Sequence, residues 1–89
     1  MKNAFEDAIL HKSLKTVYQL LHKRGFYSTW FENEKILWTD FNACGVTCDS
    51  YAIIFSNKNR AIKVETLTRN GNLLKSFDDF CAENNLVID

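Results

Sequence analysis

The stretch from Tyr51 to Thr68, YAIIFSNKNRAIKVETLT, most constrains what this chain can fold into. Tyr51-Ala52-Ile53-Ile54-Phe55 is a short apolar run of β-branched and aromatic side chains, and Ala61 to Thr68 alternates Ile62, Val64 and Thr66 against Lys63, Glu65 and Leu67. Between them Ser56-Asn57-Lys58-Asn59-Arg60 supplies asparagines, which tolerate the left-handed backbone of a tight turn. The pattern predicts a β-hairpin. Its first arm, apolar on both faces, must be covered above and below, whereas Lys63 and Glu65 let the second arm leave one face wet. A covered strand needs neighbours and a helix, so the rest of the chain is read for those.

The flanking segments supply them. Asn3 is a candidate cap for a helix from Ala4 to Arg24, where Leu10, Leu14, Val17 and Leu21 share a narrow arc at helical spacing. Ser13 offers an internal cap that would divide this helix in two, and Gly25 after Lys23-Arg24 is a C-terminal stop. Phe26 to Phe31 and Lys35 to Phe41 read as strands joined by a turn at Glu32-Asn33-Glu34. Asn42 to Ser50 reads as the longest loop. Arg69-Asn70-Gly71-Asn72 marks another turn, Ser76 with Asp79 resembles a capping box for a two-turn helix, and Leu86-Val87-Ile88 is a candidate last short strand. The expected fold is α+β: an N-terminal helix, a four-stranded mostly antiparallel sheet and a short C-terminal helix, with both helices on one sheet face.

Length and charge bound the class. Eighty-nine residues support one core and one domain, spanning 1–89. The apolar runs fall short of the roughly 20 residues needed to cross a bilayer, and Glu6 and Asp7 interrupt any secretory leader, so the expectation is a complete cytoplasmic product without a membrane partner. Eleven Lys and Arg balance eleven Asp and Glu, which does not favour general adhesion to nucleic acid. With three glycines there is no phosphate-cradling loop, so no nucleotide is expected.

Three cysteines make a disulfide framework improbable in a reducing compartment, and they suggest a metal instead. Cys44 and Cys48 flank Gly45, and Cys81 with His22 would complete the three-Cys, one-His tetrahedron of structural zinc. His11 lies eleven residues before His22, almost a whole number of helical turns, and is the substitute fourth ligand. The opposing expectation is no cofactor, with the thiols packed as small hydrophobes. A zinc-stabilised nucleic-acid-binding module is a further alternative.

Lys23-Arg24-Gly25-Phe26 after a helix, Asp49 before the strand Tyr51–Phe55, and Lys63-Val64-Glu65 on the next strand resemble the PD-(D/E)xK nucleases. That resemblance implies a divalent ion held by Asp49 and Glu65, although acid and lysine are exchanged in order here. The element order is also similar to that of double-stranded-RNA-binding domains, but Asn70 to Lys75 lacks their glycine- and lysine-rich entry to the last helix.

Aromatic residues make up 13% of the chain, more than a sheet covered on one face would hide. Tyr27, Trp30 and Trp38 are therefore the candidate partner-binding residues, because rigid rings bury a large area at small entropic cost. The function expected from these features is a small non-enzymatic protein that binds and modulates a partner protein. In style, though in no motif, it resembles the inhibitors that phages and mobile elements direct at host machinery, anti-CRISPR proteins among them.

Overall fold

A computed structural model describes residues 4–43, 45–70 and 72–87. The N-terminal apolar pattern forms two helices, α1 (Ala4–Ile9) and α2 (Leu14–Lys23), rather than one. His11 takes a positive φ of 69°, which ends α1, and Ser13 caps α2 by accepting the Thr16 N–H. The backbone groups freed at this break are used by the sheet. His11 N–H donates to Ala61 O (2.8 Å), Ala61 N–H to Lys12 O (2.9 Å) and Leu14 N–H to Asn59 O (2.9 Å). The break survives because its polar groups find partners there. The proposed Asn3 cap lies outside the described residues.

At the far end of α2, Gly25 stands at φ 83° and the motif closes as a paired cap. Phe26 N–H reaches Leu21 O and Gly25 N–H reaches His22 O, while Phe26 and Leu21 join one apolar cluster. Four antiparallel strands follow in simple up-and-down order: β1 (Tyr27–Phe31), β2 (Ile36–Ala43), β3 (Val46–Phe55) and β4 (Ala61–Thr66). The segment expected as a loop, Asn42 to Ser50, instead extends β2 and β3 into a long hairpin, with Asn42 opposite Thr47 and Ala43 opposite Val46. Polar residues misled the sequence reading because this end of the hairpin is largely exposed and needs no apolar alternation.

The central hairpin forms as expected, with Asn59 left-handed at φ 57° in its turn. A bulge near Phe55 and Ala61 shifts the register, so Ala61 and Val64 face inward while Ile62 is extruded and 54% exposed. Beyond β4 the chain makes a two-stranded ribbon, β5 (Thr68–Arg69) with β6 (Asn72–Leu73), and enters helix α3 (Phe77–Glu83). Ser76 caps it by accepting the Asp79 N–H, and Asn85, left-handed at φ 55°, closes it with Leu86 N–H bonded to Cys81 O. Leu86 therefore docks through this cap; neither Leu86 nor Val87 is in a strand, and Ile88 lies outside the described residues.

The helices lie on opposite faces of the sheet, not on one. Neighbours along β2 and β3 point opposite ways. Leu37 and Ile53 join Ile9, Val17 and Leu21 beneath α1 and α2, whereas Ile36 and Ala52 join Phe80, Cys81 and Leu67 beneath α3. This sandwiching explains why Tyr51–Phe55 is apolar throughout: β3 contributes to both clusters. Among the described residues no helix is long and apolar enough to cross a membrane.

Candidate functional site

The two-faced arrangement decides where each predicted site residue stands. Trp30 and Trp38 occupy β1 and β2 but project from opposite faces, since Trp30 pairs across from Leu37, the neighbour of Trp38. Trp30 packs edge-on to Phe55 with ring centroids 5.4 Å apart, and its indole N–H donates to Glu32 Oε2 at 2.6 Å. Trp38 lies edge-on to Phe77 beneath α3, with centroids 4.6 Å apart, and its buried indole N–H has no partner among the described residues. Tyr27 alone of the three is broadly open, at 68% exposure, on the α3 side opposite Asp40. The three rings thus do not share one flat face.

The metal residues are also dispersed. Cys44 lies outside the described residues. Cys48 sits partly buried in β3, where its thiol faces Val46 O at 3.7 Å. Cys81 is buried under α3, and His22 is exposed on α2, across the sheet from it. The phase argument linking His11 to His22 fails because the helix is interrupted between them. Among the described residues no three His, Cys, Asp or Glu side chains converge on a point that could hold a metal ion. Burial, and secondarily the Asp78 charge, raises the Cys81 thiol above its ordinary pKa.

Asp49 and Glu65, the pair implied by the nuclease resemblance, leave opposite faces of the sheet as well. Asp49 lies opposite Phe41, on the face of α1 and α2, and Glu65 lies opposite Ala52, on the face of α3. A single divalent ion held by both carboxylates does not fit this placement.

What the fold does assemble is a groove of roughly 550 Å³ between the start of α2 and the turn joining β3 to β4. Ser13, Leu14, Lys15, Tyr18 and Gln19 line one wall; Lys58, Asn59 and Arg60 line the other. The seam described above holds the walls together, and two of its hydrogen bonds, Ala61 N–H to Lys12 O and Leu14 N–H to Asn59 O, flank Ser13 and Arg60 as an isolated antiparallel bridge. Lys35 Nζ donates to Asn59 Oδ1 at 3.0 Å and so steadies the turn from beneath.

The charge of this groove is one-signed: among the described residues Lys15, Lys58 and Arg60 line it and no carboxylate does. Among the described residues neither lysine is within ion-pair reach of an acid, and Arg60 Nη1 donates only to the carbonyl of His11, at 3.4 Å. Tyr18, 45% exposed, adds one ring to the wall. Sequence reading missed this site because its residues come from segments 46 positions or so apart, as counted from Ser13 to Asn59. The available signal was the pair Lys58 and Arg60 in a turn, together with an internal Ser13 cap. Comparison with known proteins finds no family model, no curated protein and no solved structure that matches the chain.

Proposed function

We propose that this chain is a small non-catalytic binding protein that modulates a partner protein by seating an acidic segment of it in the groove between α2 and the β3–β4 turn. The observation that carries this reading is the one-signed lining: three cations without acidic partners among the described residues flank a concave surface held rigid by backbone hydrogen bonds between its walls. Rigid walls lower the entropic cost of association, and a rim of like charges selects an oppositely charged partner and speeds encounter. Each exposed ion pair contributes only about 0.2–1 kcal/mol, so the apolar stems of Lys15 and Arg60, with Leu14 and Tyr18, must supply contact area as well. Inhibition of host machinery by a phage or mobile element is one setting in which so small a binder acts.

Affinity capture from the native host, run in parallel with wild type and with a Lys15→Glu, Lys58→Glu double variant, tests the proposal. The expected result is one stoichiometric protein partner retained by wild type and lost by the variant. Equal retention by both proteins, or recovery of nucleic acid in place of protein, would overturn it.

A further inference from the structure

The two outer edges of the four-stranded sheet are treated in opposite ways. The β4 edge is guarded: the Lys12 and Ala61 backbones bond at its start, a bulge distorts it, and Lys63 and Glu65 charge it. These are the devices by which proteins prevent a strand from recruiting another chain. The β1 edge has none of them. Tyr27-Ser28-Thr29-Trp30-Phe31 pairs with β2 on one side and, among the described residues, with no strand on the other, in unbroken register and without a charge or a proline.

Independently of the groove, we propose that β1 pairs antiparallel with β1 of a second copy of this chain, about a two-fold axis through Thr29. That register sets Tyr27 opposite Phe31, Ser28 opposite Trp30 and Thr29 opposite its own equivalent. Within each pair both side chains fall on the same face, because partners in an antiparallel ladder do. Self-pairing forces every residue to meet a register mate from its own strand, so a charged strand often sets like charges together; β1 has no charge to repel. Instead the register offers an aromatic pair on each side of the axis and a threonine pair at its centre, which are favourable cross-strand combinations. It also covers Tyr27, 68% exposed in the single chain. A closed two-fold pair uses the open β1 edge of each copy.

Sedimentation equilibrium over a wide concentration series reads the result directly. Wild type should rise from the mass of one chain to that of two. Thr29 is exposed, so its replacement by a longer polar side chain is compatible with the fold, as circular dichroism of each variant would verify. Thr29→Lys and Thr29→Glu, each alone, should weaken self-association about fivefold or more by placing like charges across the axis. An equimolar mixture of the two should recover the pair, because Lys then faces Glu. A wild type that keeps the mass of one chain throughout would overturn the proposal, as would a dimer indifferent to both charges or a mixture that fails to recover.

Discussion

Two side chains show how burial tunes chemistry at the scale of single residues. Tyr51 stacks on Phe5 with ring centroids 3.9 Å apart, and burial, with a smaller contribution from the Asp49 carboxylate, raises its phenol above the ordinary 10.0. The folded state thus holds this proton more tightly than the unfolded one, so the associated stability is intact below pH 10 and is lost as pH climbs through the raised value. Urea unfolding in the alkaline range should show a steeper decline for wild type than for Tyr51→Phe. Cys81 follows the same logic with a different readout. Its raised thiol and buried position predict that alkylation at mildly alkaline pH, followed by mass spectrometry, modifies Cys48 well before Cys81. Asn59 was legible from sequence as a left-handed turn residue, but its second role was not. Its carbonyl receives Leu14 N–H and its side chain receives Lys35 Nζ, contacts set by partners 45 and 24 positions away. Asn59→Val should cost about 1–2 kcal/mol from the backbone conformation alone, as measured by urea denaturation.

Elements with strong local codes were the ones visible beforehand. Gly25 and Asn85 close α2 and α3 with the same paired cap, and Ser13 and Ser76 open them by the same side-chain acceptance. Ser13→Ala and Ser76→Ala should each lower unfolding free energy by about 1 kcal/mol. Where the code is tertiary, only part of it is legible: Ser13 offers the division of the first helix as an alternative, but not the contacts that fix it. The break between α1 and α2 depends on Ala61 and Asn59 accepting its amides, which nothing in residues 4–24 reveals. The continuation of β2 and β3 through Asn42 to Ser50 depends on pairing between the two arms rather than on an apolar pattern in either. A strand position fixes a face only once the register is known, and the register separates Trp30 from Trp38. The groove, formed by a helix start and a distant turn, had no contiguous signature to find.

At the scale of the whole molecule, the sheet divides the interior into two compartments. Leu21 sits in the one beneath α1 and α2, Phe80 in the one beneath α3, and both are fully enclosed. Truncations in separate compartments share no cavity, so their costs should add. Val17→Ala and Phe80→Leu, made singly and together and followed by denaturant unfolding, should combine to within about 0.5 kcal/mol. Ile53→Ala, on the strand common to both compartments, should cost about 2–5 kcal/mol.

The guarding of β4, begun by the linker between the first two helices, has a consequence for what this protein can build. A sheet with two open rims is a monomer in the polymer chemist's sense, able to add units without end, whereas one with a single open rim is a chain terminator. Stitching Lys12 to Ala61, with the bulge and the charges of Lys63 and Glu65 beyond it, guards one rim of the four-stranded sheet, so a ribbon of that sheet that starts at the opposite rim stops after a single addition.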